Sequence, residues 1–163
     1  METAIATIKL TLRKIQVFKG GSEAVFLGYE DYGLKLFRAR DLAVRACARQ
    51  EEAAWHGLAP EVYGGVNVYH LSQNLIHQMQ MENCLFKPRP EMFGYETELV
   101  KMMEYGEYCY REFEIEELTM RLEDLFGQEI HDLRMPNVGV LNSKVVAIDF
   151  GEYTFHECPN LYK

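Results

Sequence analysis

Asp132, Asn137 and Asp149 are the residues whose types and spacing best suit chemistry: an aspartate, an asparagine five positions on, and a second aspartate opening Asp149-Phe150-Gly151. Phosphoryl transfer needs a carboxylate facing the acceptor hydroxyl and hard oxygen ligands that hold magnesium against the phosphates. Asp132 can face the acceptor, and Asn137 with Asp149 can supply the oxygens. Lys35, in Gly-Leu-Lys-Leu-Phe, places an ammonium in an apolar strand where it needs a reason to be. Gly20-Gly21-Ser22 falls between two expected strands, where the lack of side chains lets backbone N–H groups approach phosphate oxygens. Each has an ordinary alternative, as a turn residue or an edge-strand lysine facing water. Their occurrence together and in order weighs against those alternatives.

The elements that must position these groups follow from periodicity. Apolar and polar residues roughly alternate from Ile5 to Phe18, Ala24–Leu27 reads as a returning strand, and Leu34–Phe37 as a third. Three antiparallel strands are therefore expected before a helix that Asp41 caps and Gly57 and Pro60 end near His56. Strands are expected again at Glu61–Tyr69 and Leu75–Met81, and a loop at Cys84–Phe93 with Pro88 and Pro90. Tyr95–Tyr105 fits either a helix or a strand. Ile115, Leu118, Leu122, Leu125 and Phe126 recur at helical spacing before Gly127, the strongest helix signal in the chain. Val138–Leu141 and Val145–Ile148 flank Asn142-Ser143 as a hairpin, which brings Asn137 and Asp149 together at its open end. The expected class is α+β.

The run from Asp132 to Asn137, followed by Asp149-Phe150-Gly151, resembles the catalytic loop and magnesium-binding segment of the protein kinase superfamily. Gly21-Ser22-Glu23-Ala24-Val25-Phe26 resembles the glycine loop of RIO kinases and small atypical relatives. Glu51–Trp55 before Leu58–Gly64 is similar to the same region of aminoglycoside phosphotransferases. The resemblance covers about residues 14–155. It implies a single kinase-like domain, with an N-terminal lobe over about 1–83 (antiparallel sheet and one helix) and a reduced, mostly helical lobe over about 84–163.

It further implies ATP and Mg2+ as cofactors. Lys35 and Asp132 would be catalytic, Asn137 and Asp149 would hold the metal, and Gly20, Gly21, Ser22, Lys35, Glu51, Met81 and Asn83 would surround the nucleotide. Glu51, in preference to Glu52, would orient Lys35. Met79–Asn83, in preference to Met102–Tyr105, would hold the adenine. The sequence departs from the pattern at Ile130 and His131, and only twelve residues follow Gly151, which puts a peptide-substrate platform in doubt. The expected function is an ATP- and magnesium-dependent phosphotransferase, with autophosphorylation or ATP hydrolysis as further outcomes. The alternative is a pseudokinase-like module that binds a nucleotide or a protein without transfer.

Composition narrows the partners. The 163 residues are 48% hydrophobic and 12% aromatic, enough for one compact unit, and the formal charge of −8 disfavours nucleic acid and anionic membranes. No apolar run is long enough to span a bilayer and Met-Glu-Thr-Ala lacks a basic leader, so a cytoplasmic location is expected. Cys47, Cys84, Cys109 and Cys158 form no C-x-x-C pair, which disfavours a zinc or redox site. The acceptor, a protein or a small molecule, is left open. A homodimer or protein partner is expected to cover the Ile115–Phe126 helix.

Overall fold

A computed structural model of the chain describes residues 7–10, 16–18, 23–29, 31–82, 86–130, 133 and 137–151. Gly20, Gly21, Ser22, Asn83, Asp132 and Arg134 lie outside them. Six strands form one sheet: β1 (Thr7–Leu10), β2 (Gln16–Phe18), β3 (Ala24–Gly28), β4 (Tyr32–Phe37), β5 (Val62–Leu71) and β6 (Glu91–Glu98). Their order is β1-β5-β6-β4-β3-β2, antiparallel except where β1 pairs in parallel with β5. Helix α1 (Arg40–Trp55) connects β4 to β5, and α2 (Gln73–Glu82) lies between β5 and β6. The chain then forms β7 (Lys101–Met102), α3 (Tyr105–Tyr110), α4 (Glu112–Phe126), β8 (Val138–Leu141) and β9 (Lys144–Ala147). Strands β7, β8 and β9 make a second sheet in that order. The fold is α+β.

Strand alternation sorts the first sheet into two faces. Leu34 and Leu36 of β4, with Val25, Leu27 and Met92, point towards Leu75, Ile76 and Met79 of α2. Phe37 and Tyr95 point the other way, into a core shared by Ala43, Ala46 and Cys47 of α1, Leu118 and Leu122 of α4, and Val138 and Val145 of the second sheet. Lys35, between Leu34 and Leu36, therefore faces α1.

Several expectations change. The alternating run from Ile5 to Phe18 supplies two strands, β1 and β2, at opposite edges of the sheet rather than one. Asp41 lies in the first turn of α1, whose N-cap is Ala39 without a side-chain cap. The expected strand over Leu75–Met81 is helical: Leu75, Ile76 and Met79 are buried at helix spacing, and the Ser72 hydroxyl accepts from Leu75 N at 3.2 Å, capping the first turn. A lobe boundary near residue 83 would cut the sheet, because β6 lies between β5 and β4; the sheet ends at Glu98. The ambiguous Tyr95–Tyr105 stretch holds the end of β6 and then β7.

Helix α4 and the terminal hairpin form as their patterns demand. Ile115, Leu118 and Leu122 are buried in the core, while Phe113 and Met120 of the same helix are exposed. Gly127 ends the helix at φ 64 in the left-handed region that lacks a Cβ penalty. Asn142 and Ser143 turn the hairpin with φ 50 and 65, the conformation of a two-residue turn that matches strand twist and favours Asn-Gly. Ser143→Gly is expected to stabilise the protein by about 1 kcal/mol by removing a left-handed Cβ clash, read as a rise of roughly 2–4 °C in melting temperature. Among the described residues no helix is long and apolar enough to cross a membrane.

Strand β5 carries an irregularity between Tyr63 and Asn67, where Gly64 adopts φ 88, before its regular pairing resumes.

Candidate functional site

Strand register places Lys35 opposite Phe26 on β3 and Tyr95 on β6, so the three side chains share one face. The Lys35 amine is 4.9 Å from the Phe26 ring centroid, 5.8 Å from that of Tyr95 and 5.3 Å from that of Phe150. It donates to Gln50 Oε1 at 2.6 Å and to the Ile148 main-chain carbonyl. The residue is only 3% exposed. Burial pushes its pKa down to about 7, against the upward pull of Asp149 and Cys47.

Gln50 is fully buried on the inner stripe of α1. Its Nε2 donates to the Pro60 carbonyl at 2.9 Å and to Thr97 Oγ1 at 2.7 Å, while Tyr95 OH donates to its Oε1 at 3.0 Å. Thr97 in turn donates to the Glu61 carbonyl at 3.0 Å. The network joins β4, α1, β6 and the Pro60–Glu61 connection at one point. Burial, then Cys47 and Asp149, hold the Tyr95 hydroxyl far above its ordinary range, so it remains a donor at neutral pH.

The β8–β9 hairpin sets the opposite wall. Val138 pairs with Ala147, and Ile148 N donates to the Asn137 carbonyl at 3.1 Å. Asn137 and Asp149 are thereby brought to the same open end, as the hairpin pattern predicts. Asp149 Oδ1 accepts from Gly151 N at 2.9 Å, and Arg49 Nη1 of α1 donates to the Phe150 carbonyl at 3.1 Å. A Cβ on Gly151 would lie 2.6 Å from Glu23 Oε2 and 3.2 Å from Asp149 Oδ1. The missing side chain leaves room for the Glu23 carboxylate beside the Asp149 turn.

Beside Lys35 runs a narrow apolar slot of about 50 Å³, continuous with solvent. Phe26, Leu27, Gly33 and Leu34 line it from the sheet, Thr97–Val100 from the chain leaving β6, and Ile148 from the hairpin.

Two expected site residues are displaced. Glu51 is exposed and accepts a contact from Cys47 Sγ at 3.7 Å; the partner of Lys35 is Gln50. The phase of α1 explains this, because Ala43, Ala46, Cys47, Gln50 and Ala53 recur at helical spacing on the buried side, which excludes position 51. Met81 is 69% exposed on α2, which packs on the other face of the sheet, so it does not line the slot. The connector after β6, starting at Leu99 three residues before the less favoured Met102–Tyr105 alternative, lines the slot. Sequence reasoning missed Gln50, Thr97 and Ile148; the apolar phase of α1 was a usable signal for the first.

Among the described residues no group of three or more His, Cys, Asp or Glu side chains is placed to hold a metal ion. Asn137 and Asp149 offer one amide and one carboxylate at the hairpin end, a hard-oxygen pair of the kind magnesium accepts when phosphates and water complete its shell.

No family model matches this chain, and no match is found among curated proteins or solved structures.

Proposed function

We propose that this chain is a kinase-like phosphotransferase that binds ATP with magnesium in the slot beside Lys35. One observation carries the reading: a buried lysine on the last strand of a three-strand meander, engaged by the next helix, faces a hairpin whose open end presents Asn137 and Asp149. Those are the parts that protein kinases assemble around the phosphates. Lys35 would contact the phosphates, Asn137 and Asp149 would hold the metal, and the slot would take the base. Magnesium, when bound, supplies positive charge against the phosphate oxygens. Asp132 would orient the acceptor, a role that rests on the family resemblance alone.

A second reading is a nucleotide- or protein-binding module without transfer. It is favoured by Gln50, an uncharged residue where the resemblance leads one to expect a glutamate.

The test is thermal melting with and without magnesium and ATP. At ligand about 100-fold above its dissociation constant, binding to the folded state stabilises by about 2.7 kcal/mol, or roughly 5–10 °C for a chain of this size. Asp149→Asn is expected to remove the magnesium-dependent part of that rise. No rise at millimolar ATP would eliminate nucleotide binding. A rise without transfer of label from ATP to the protein or to water would select the second reading.

A further inference from the structure

We propose that the groove between the end of α1, the start of β5 and the β8–β9 turn docks a basic segment of a partner protein, in which an arginine side chain stacks on Trp55 and its charge is met by Glu51, Glu61 and Glu98. The groove meets the Lys35 slot only at Glu98, which borders both, and the inference does not rest on nucleotide binding.

The space is present in the folded chain. The groove holds about 600 Å³ open to solvent, against about 50 Å³ for the slot, which is room for several side chains rather than one small ion. Hydrogen bonds tie its walls together: Glu98 N donates to the Glu61 carbonyl at 2.8 Å, Glu61 N donates to Glu98 Oε1 at 3.2 Å, and Ala147 N of the hairpin donates to the Leu58 carbonyl at 3.0 Å. A partner therefore meets a preformed surface, at little ordering cost.

Trp55, the last residue of α1, has no evident role within the chain. It is 87% exposed at the rim of the groove, and among the described residues it makes no ring contact. Leaving so much apolar ring in water is unfavourable, and tryptophan is among the residues most enriched where binding energy concentrates.

The neighbours of Trp55 decide the chemistry of the occupant. Glu51 lies one helical turn before it, Glu61 just ahead of β5 and Glu98 at the end of β6, while Lys144 of β9 is the one cation in the lining. Lys144 Nζ lies against Gly57, 3.3 Å from where a Cβ would stand, just beyond a helix end that carries negative partial charge and has no basic residue in its last turn. Among the described residues none of these four groups is held in an ion pair, so three carboxylates face an incoming group against one ammonium. A guanidinium suits that setting, because it stacks flat on an indole while its N–H groups reach carboxylates. Val62, Leu141 and Val146 add apolar surface, which a bare polyamine leaves unused and an aliphatic side chain beside the arginine covers. A second copy of the chain is a poor occupant, since a net charge of −8 repels it from this face.

The experiment uses the full chain without nucleotide, at physiological salt. Trp55 is the only tryptophan, so its fluorescence reports on this groove alone. Titration with a capped peptide of alternating arginine and leucine should give a saturable change with a Kd on the order of 10 μM. Glu51→Lys combined with Glu61→Lys should weaken binding about tenfold or more. Glu82→Lys combined with Glu91→Lys makes the same change in net charge at the end of α2 and the far end of β6, and should stay within about twofold because salt screens distant charges. Trp55→Ala, followed by calorimetry, should weaken binding about thirtyfold.

No saturable change up to about 1 mM peptide, equal weakening by the two charge-reversed pairs, or spermine binding as tightly as the peptide would each overturn the proposal, the last in favour of a small-polycation site. So would a dimer in light scattering that Trp55→Ala dissolves, which would give the groove to a second copy. If the charge-reversed groove variant does not fold, acrylamide quenching of the wild type decides: bound peptide should shield Trp55, and quenching left unchanged overturns the docking site.

Discussion

Replacing Gly94 with alanine is expected to lower stability by about 3 kcal/mol or more, the upper end of overpacking costs, and so to reduce the melting temperature by roughly 10 °C. Gly94 sits mid-strand in β6, paired with Leu36 on one side and Asn67 on the other. A Cβ there would lie 2.1 Å from the Lys35 carbonyl oxygen, 2.8 Å from Leu36 Cδ2 and 3.1 Å from the Lys35 carbonyl carbon. A side chain can rotate away, but the Lys35 main chain cannot, because it belongs to the β4 ladder. Relief must come from separating β6 and β4 at the point where Lys35 and Tyr95 face each other. Gly94→Ala should therefore also weaken nucleotide-dependent stabilisation more than an equally destabilising change in α4, such as Leu122→Ala. Thermal or urea melting checks the first effect, and the ligand-induced shift checks the second. A variant with wild-type stability would mean that the strands are not this close.

Lys35→Met is expected to abolish the ATP-dependent rise in melting temperature and to change how stability depends on pH. The folded-state pKa of about 7 lies below the ordinary lysine value of 10.5. The unfolded chain thus binds more protons between those limits, and stability from this group rises with pH by about 1.4 kcal/mol per unit. Below pH 7 both states are protonated, and the folded protein bears the full cost of a buried ammonium. The difference in unfolding free energy, wild type minus Lys35→Met, should accordingly increase by about 2–3 kcal/mol from pH 7 to pH 9. The variant should be the more stable protein at pH 6. Urea titrations of both proteins at pH 6, 7, 8 and 9 measure this. A flat difference would show that Lys35 keeps an ordinary pKa. In the wild type alone the gain should reverse towards pH 9 and above, since burial pushes the Cys47 thiol up to about 12 and raises Tyr95, so the unfolded chain loses those protons first.

The parts of this architecture that were legible in the sequence are those where one local rule suffices. Helix α4 shows one unbroken apolar stripe ending in Gly127, and the β8–β9 hairpin has two apolar runs around a two-residue turn, so each was located almost to the residue. The relation of Asn137 to Asp149 followed from that hairpin alone. What could not be read depended on packing across distant segments. Leu75, Ile76 and Met79 suit either period over a short run, and the choice is made by the Ser72 cap and the apolar sheet face beneath. A carboxylate is the ordinary partner of a lysine, so nothing local marks the uncharged Gln50 as the residue that meets Lys35. Its selection comes from Pro60, Thr97 and Tyr95, up to 47 positions away in sequence.

The placement of β1 and β2 has a consequence for association between copies of the chain. A sheet offers its outer main-chain groups to any strand that can add to it, and long flat edges are hazards for polymerisation. Here the ten-residue β5 would be such a template, but β1 covers Val68–Leu71 and the irregularity at Gly64 interrupts the rest. At the other border β2 offers three residues. Among the described residues, the longest strands of this sheet are thus kept from foreign strands by short terminal ones and a bulge, which leaves little continuous border for amyloid-like growth.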